Sequence, residues 1–114
     1  MRINGKDIFT IRGDTISITI ECFDQYGEKV ILGDGDLLYF TVKDSPNTTI
    51  KRIQRIADTF DHQGNAIIEI SSVETNLMRF GSYVYDVQWT DANGVVRTVI
   101  PMSKFIVEPG VTSE

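Results

Sequence analysis

The sequence is short of cysteine and proline and contains no long apolar run, and each shortage excludes a class of protein. Its single cysteine, Cys22, excludes an intrachain disulfide and any zinc site built from several cysteines. No segment approaches the ~20 consecutive apolar residues of a membrane-spanning helix, so we expect no membrane insertion. With only 3 prolines and 41% hydrophobic residues, the chain is neither disordered nor collagen-like. The first residues also lack an apolar run, so we expect no signal peptide.

Positive charge is also scarce. The chain has 11 basic and 16 acidic residues, which give a formal net charge of -5. A surface that binds nucleic acid needs a basic excess to displace the counterions of the phosphates, so we expect no nucleic-acid partner. The one basic run contains Lys51, Arg52 and Arg55, and we interpret it as the solvated face of a strand.

Alternation of apolar and polar residues with a period of two is the dominant pattern in the chain. It appears in residues 15–23, 37–43, 66–70, 83–89, 95–100 and 104–108. This pattern predicts half-buried antiparallel strands, because successive side chains of a strand point to opposite faces of its sheet. The predicted core, shared by two sheets, contains Ile18, Ile20, Cys22, Leu38, Phe40, Val87 and Trp89.

Turn-forming residues separate these runs at residues 24–27, 61–65 and 91–94. Asn93-Gly94 predicts a tight hairpin, because this pair supplies the positive φ angles that such a hairpin needs. Residues 71–78 begin with a serine suited to capping, which predicts one helical turn that crosses between the sheets. The patterns together predict an all-β protein, an immunoglobulin-like antiparallel β-sandwich of about seven strands with one short helical turn. The expected single domain spans residues 1–109, and residues 110–114 are expected to form a loose tail.

One segment breaks the alternation, because its isoleucines recur at every third residue. We interpret it as a bulged or edge strand. An unpaired strand edge offers amide and carbonyl groups to a neighbouring chain, and exposed isoleucines favour covering that edge. The candidate interface with another protein therefore contains Ile50, Lys51, Arg52, Ile53, Arg55 and Ile56.

Side chains suited to catalysis are few. His62 is the one histidine, and the sequence leaves a Ser-His-Asp arrangement open because its members need only meet in space. The glycine and asparagine beside His62 favour a turn in which the side chain points to solvent. The carboxylates cluster in turns and not in the apolar pocket that a catalytic acid requires. We therefore expect no enzyme activity, no catalytic residue and no cofactor.

Three further features have more than one interpretation. Residues 32–36 offer two carboxylates, fewer than a calcium site needs, and are interpreted as a loop without metal. Arg12-Gly13-Asp14 matches an integrin-binding tripeptide, but its position directly before a strand favours a kink that admits the chain to the sheet. The aromatic rings of Phe23 and Tyr39 point outward by alternation, where they could stack on sugars, anchor an interface or be buried on a second face.

Several motifs follow one another in a characteristic order along nearly the whole chain. They are Ile11-Arg12-Gly13-Asp14-Thr15, Asp24-Gln25-Tyr26-Gly27, Tyr39-Phe40-Thr41-Val42-Lys43, Ile70-Ser71-Ser72-Val73-Glu74-Thr75-Asn76-Leu77, Gly81-Ser82-Tyr83-Val84-Tyr85-Asp86-Val87 and Asp91-Ala92-Asn93-Gly94. This order resembles small immunoglobulin-like modules in structural proteins of tailed phages and prophages, and in particular the amino-terminal domain of phage baseplate upper proteins. The resemblance implies a non-enzymatic virion structural module that docks to neighbouring tail or baseplate subunits or carries a receptor-binding part.

The resemblance also implies partners and a location. The expected partners are other phage tail or baseplate proteins, and a homo-oligomer is a further candidate. The expected location is the tail of the virion, after synthesis in the cytoplasm of the bacterial host. The alternative function is a carbohydrate-binding or adhesin-type β-sandwich at a cell surface, and a small hydrolase is the third hypothesis. The lack of a signal peptide favours the first hypothesis over the second, and the lack of a convergent polar cluster disfavours the third.

Overall fold

The computed structural model of the chain describes residues 1–110, and most of its regular structure is β-strand. The strands are β1 (Arg2–Asn4), β2 (Asp7–Ile11), β3 (Ile16–Ile20), β4 (Cys22–Phe23), β5 (Lys29–Val30), β6 (Leu37–Lys43), β7 (Lys51–Ala57), β8 (Ala66–Ile70), β9 (Gly81–Thr90) and β10 (Val96–Glu108), and one helix, α1 (Ser72–Asn76), lies between β8 and β9. Seven of these strands have five residues or more, and β1, β4 and β5 have two or three. The prediction of an all-β sandwich with one short helical turn is confirmed.

The strands form two layers. One layer is a six-stranded sheet in the order β1-β2-β10-β9-β6-β7, and the other contains the β3-β8 pair. A separate two-stranded sheet, β4-β5, follows β3 along the chain. The order β10-β9-β6-β7 corresponds to strands G-F-C-C′ of an immunoglobulin variable domain, and β3-β8 corresponds to its B-E pair. One pairing differs from the predicted antiparallel arrangement, because β2 and β10 run parallel. These two strands come from the two ends of the described chain, so no hairpin turn constrains their direction.

The core lies between the two layers and contains the predicted residues. Phe40, Leu38 and Val87 are fully buried, and Ile18 and Ile20 face them from the smaller layer. The Cys22 thiol is buried too, as the alternation predicts. Trp89 is the exception, because it packs against the edge of the core and remains half-buried.

The corner that leads into β9 shows two locally determined features. Ser71 caps α1 by accepting a hydrogen bond from the amide of Glu74, whose side chain in turn accepts from the Ser71 amide. The Tyr83 hydroxyl donates to the Arg79 carbonyl oxygen at 2.9 Å. A tyrosine that bonds backbone a few residues upstream, near the start of strand F, is the tyrosine corner of immunoglobulin-like domains.

The hairpin between β9 and β10 differs in detail from the prediction. Gly94 has a φ angle of 83°, whereas no residue other than glycine has a positive φ angle within residues 1–110. The Gly94 amide donates to the Asp91 carbonyl, and the Asp91 amide donates to the Val95 carbonyl. This is a three-residue loop with one left-handed glycine, so the positive φ predicted for the Asn93-Gly94 pair occurs at Gly94 alone.

The chain leaves β10 at Glu108. Pro109 and Gly110 continue it without regular structure. Residues 111–114, which belong to the predicted loose tail, lie outside the described residues.

Candidate functional site

The predicted interface lies on β7, an edge strand of the large sheet, except for Ile50, which directly precedes the strand. The register between β6 and β7 shifts beyond Val42, so the strand is bulged as well as at an edge, as the spacing of its isoleucines predicts. Ile50 and Ile56 are exposed to solvent. Ile53 is only 6% exposed and belongs to the core, so its side chain is not available to a partner and the candidate interface loses this residue.

Two of the three basic side chains near this edge are already paired within the chain. Arg52 donates two hydrogen bonds to the Asp44 carboxylate, at 2.9 and 2.7 Å. Arg55 donates to the carboxylate of Glu74, and its Nε donates to the Glu69 carbonyl oxygen at 3.0 Å. These guanidinium hydrogen bonds lower the pKa of Asp44 and the pKa of Glu74. Arg55 therefore ties β7 to the smaller layer.

Lys51 differs from these two arginines, since it makes no salt bridge with any residue of the described chain. Its charge remains available at the edge, and the flanking Ile50 supplies apolar area beside it. The surface formed by Ile50, Lys51 and Ile56 is called the β7 edge below.

A second surface is a cleft of about 770 Å³ between the loop that joins β4 to β5 and the first half of β10. Its volume falls in the range of small-molecule sites. Its apolar wall and its rim include Phe23, Tyr26, Trp89, Arg97, Val99 and Ile100. We call it the aromatic cleft.

Hydrogen bonds and stacking fix one wall of the aromatic cleft. The Trp89 indole Nε1 donates to Asp36 Oδ1 at 3.1 Å. The Arg97 guanidinium lies over the Trp89 ring, 5.1 Å from its centroid, and donates to Asp91 Oδ2 at 2.7 Å. The Asp91 pKa is lowered, chiefly by this bond from Arg97. Contacts within the chain therefore hold the indole in one orientation.

The opposite wall carries two aromatic rings that the fold leaves uncovered. Phe23 and Tyr26 are both exposed, and Tyr26 lies in the turn that follows β4. Phe23 is exposed, as the alternation predicts. Tyr39, for which the alternation also predicts an outward orientation, is half-buried. The alternation of residues 83–89 predicts Trp89 in the core and gives no indication that it meets Phe23, because the cleft collects residues from segments that are far apart in the chain. The local indication of this cleft in the sequence is Tyr26, an aromatic residue within a polar Asp-x-x-Gly turn.

The other sequence candidates have structural explanations. His62 is exposed in its turn, as predicted. The Gly13 amide donates to Thr75 Oγ1 at 3.1 Å, and Thr75 Oγ1 donates to the Asp14 carbonyl at 2.7 Å, so the Arg-Gly-Asp turn is fastened to α1 and forms the predicted kink. Among residues 1–110, no group of three or more His, Cys, Asp or Glu side chains is arranged to hold a metal ion.

No helix within residues 1–110 has the length and apolar character needed to cross a bilayer. A scan against models of known protein families finds no match for this chain, and a search of curated protein sequences likewise finds none.

Proposed function

We propose that this chain is a non-enzymatic structural module that docks to neighbouring protein subunits through the β7 edge. The observation that carries the proposal is the exposure of Ile56 on an edge strand of the large sheet and of Ile50, which directly precedes that strand. An open edge presents unpaired amides and carbonyls, and proteins that leave it unused usually blunt it with charge, proline or a bulge. Here the bulge and Lys51 limit indiscriminate pairing, while the isoleucines favour a specific partner.

The proposed setting is the tail or baseplate of a tailed phage. The support for it is the order of motifs from the Ile11-Arg12-Gly13-Asp14-Thr15 turn to the Asp91-Ala92-Asn93-Gly94 hairpin, which resembles phage baseplate upper proteins. The proposed partners are other tail or baseplate subunits, or a second copy of this chain. A stable interface of this kind should bury at least ~1,000 Å² in total, which is more than one edge strand supplies. Residues on the outer face of the large sheet beside β7 would complete it.

The experiment is sedimentation of the purified chain, alone and with candidate tail and baseplate proteins, for the wild type and for Ile56→Lys. A lysine at an exposed edge position opposes strand pairing by leaving its charge unsolvated in the interface. Ile53 is unsuitable for this test because its replacement would disrupt the core. The matched variant is Ile3→Lys on β1, at the opposite edge of the same sheet, because Ile56 and Ile3 are 54% and 53% exposed.

We expect the wild type and Ile3→Lys to assemble with the same partner. Ile56→Lys should remain monomeric, and its melting temperature should equal that of the wild type. Loss of assembly in Ile3→Lys alone would assign docking to β1 and overturn the proposal for the β7 edge. Assembly of all three proteins alike would exclude both edges.

A further inference from the structure

We infer that the aromatic cleft is a binding site for an uncharged saccharide, a function separate from docking at the β7 edge. A sugar ring presents an apolar face of C–H groups and a periphery of hydroxyls, so its site needs aromatic surface and hydrogen-bonding groups side by side. The aromatic cleft has both, in a volume of about 770 Å³ that would hold a small oligosaccharide.

The aromatic surface is available to a ligand and is not used by the fold. Phe23 is exposed on β4 while its neighbour Cys22 fills the core, so the Phe23 ring adds nothing to the packing between the layers. Tyr26 is more exposed still, at the tip of a turn. Large aromatic rings are costly to leave in water, and their uncovered faces are suited to stacking on a flat apolar surface. Two such rings on one wall of a cleft therefore indicate a stacking platform.

The charges around the cleft indicate an uncharged ligand. Arg97 is paired with Asp91 at 2.7 Å, and Glu21 lies 3.9 Å from the Lys29 ammonium. Asp24 accepts hydrogen bonds from the amides of its own turn. Apart from Lys6, which also lines the cleft and makes no salt bridge within residues 1–110, these charged groups have partners of opposite sign or amide donors within the chain. A phosphorylated or acidic sugar would therefore find a single free cation and no cluster of them. Hydroxyl groups, which both donate and accept, match the remaining polar atoms of the Gln25 amide and the Thr98 hydroxyl on the cleft wall.

An extended peptide is the competing occupant, and the geometry of β10 disfavours it. A peptide that added to a sheet edge would need a regular row of amides and carbonyls. The pairing of β10 with β9 shifts register between Thr98 and Ile100, and again between Ile100 and Ser103. Pro101 lies within this irregular stretch and has no amide hydrogen to donate. A saccharide needs no such ladder.

Trp89 supplies a direct test, because it is the only tryptophan of the chain and lies on the cleft wall. A ligand that enters the cleft changes the surroundings of the indole and therefore its fluorescence. The probes are neutral oligosaccharides built from glucose, mannose, galactose or N-acetylglucosamine, at millimolar concentration. Polygalacturonic acid fragments serve as a charged sugar, and an extended peptide of alternating valine and threonine serves as the competing occupant.

The variants are Phe23→Ala and Tyr26→Ala, with Phe80→Ala as the matched control. Phe23 and Phe80 are 56% and 57% exposed, but Phe80 lies beside α1 and not in the cleft. All three variants keep Trp89, so the same signal is measured in each. Tyr26→Phe separates stacking from hydrogen bonding, because it keeps the ring and removes the hydroxyl.

We expect at least one neutral oligosaccharide to shift the Trp89 emission and saturate. Phe23→Ala and Tyr26→Ala should each weaken that affinity by about tenfold, which corresponds to a stacking contact of about 1.4 kcal/mol. Phe80→Ala should bind as the wild type does, and Tyr26→Phe should lie closer to the wild type than Tyr26→Ala. Saturable binding of the peptide or the charged sugar alone, equal binding by Phe23→Ala and the wild type, or no response to any neutral probe would each overturn the inference.

Discussion

At the scale of single residues, Cys22 and Tyr85 are two buried groups that hold their protons more tightly in the fold than in water. Burial raises the pKa of the Cys22 thiol to about 11, and the nearby Asp36 carboxylate adds to the effect. Burial likewise raises the pKa of Tyr85 to about 12, with a further contribution from Asp7. The Tyr85 hydroxyl donates a hydrogen bond to the Lys6 carbonyl, which only its protonated form can make. Both side chains are therefore stable in the core only while they are neutral.

These pKa values predict a loss of stability at alkaline pH. The folded-state pKa of Cys22 lies above its ordinary value of 9.0, so the folded protein binds more protons than the unfolded chain above that pH. The stabilisation is complete below pH 9, and roughly 3 kcal/mol of it is lost as the pH rises through the folded value of about 11. Urea unfolding of the wild type and of Cys22→Ala across this range measures it. Stability should fall less steeply in Cys22→Ala between pH 9 and 11, and parallel curves for the two proteins would contradict the assignment to Cys22.

At the scale of elements, three turns share one construction. Each has the form Asp-x-x-Gly-x, beginning at Asp24, Asp61 and Asp91. In every case Oδ1 of the aspartate accepts from the amides two and four residues later. The glycines at the fourth position have φ angles of 79°, 77° and 83°. The side chain thus satisfies two amides that the turn leaves unpaired, and the glycine supplies the left-handed residue that closes the loop.

Gly64 and Gly94 occupy the same position in two of these turns but differ in their surroundings. A Cβ on Gly64 would lie 2.5 Å from Ile31 Cγ2 and 2.7 Å from Ile31 Cα, whereas a Cβ on Gly94 would meet nothing within 4 Å. Gly94→Ala should therefore cost only the strain of a left-handed alanine, roughly 1–2 kcal/mol. Gly64→Ala should cost about 1–3 kcal/mol more, because the backbone of Ile31 must move. Urea unfolding of the two variants checks the difference, and equal losses would show that the loops relax independently of their neighbours.

The strands differ in how far the sequence predicts them. β6 and β8 begin and end where the alternation predicts, because each has one buried and one solvated face and a one-residue slip would expose the core set. The alternation predicts two strands at residues 95–100 and 104–108, whereas β10 is one strand with two register shifts near Pro101. The parallel pairing of β2 with β10 could not be predicted, because it joins residues almost a hundred positions apart and leaves no local pattern.

The two candidate surfaces also differ in how far the sequence predicts them. The β7 edge could be predicted because its irregular isoleucine spacing lies within one segment. Ile53 belongs to the predicted interface but is buried, because the bulge in β7 directs its side chain into the core. The aromatic cleft could not be predicted, since Phe23, Trp89 and Ile100 meet only through the packing of the two layers. Outward alternation identified Phe23 as exposed but carried no information on its neighbours.

At the scale of the whole molecule, the two surfaces lie on separate strands of the large sheet. β6 lies between β9, which carries Trp89 on the cleft wall, and β7. Strands are spaced by about 4.8 Å, so roughly 10 Å of sheet separates the two surfaces at their nearest strands. Substitutions at that distance usually act additively when they share no partner. Occupation of the cleft and docking at the β7 edge would then be independent, so one module could hold a saccharide while fixed to a larger assembly.

The charge distribution of the whole molecule predicts how the proposed docking at the β7 edge would respond to salt. The net charge is -5, yet Arg52 and Arg55 are neutralised by Asp44 and Glu74, so Lys51 would be the main source of attraction between the β7 edge and an acidic partner. We expect the association rate of the wild type to fall only a few-fold between about 20 and 300 mM NaCl, because a single charge is screened.

Asp44→Asn should free the Arg52 guanidinium, raise the association rate at low salt and make that rate fall more steeply as salt is added. Asp34→Asn is the control, since it changes the net charge equally but precedes β6, whereas Asp44 follows that strand. Surface plasmon resonance at several salt concentrations measures these rates, and identical salt dependence for Asp44→Asn and Asp34→Asn would show that the Arg52 charge does not act at the docking surface.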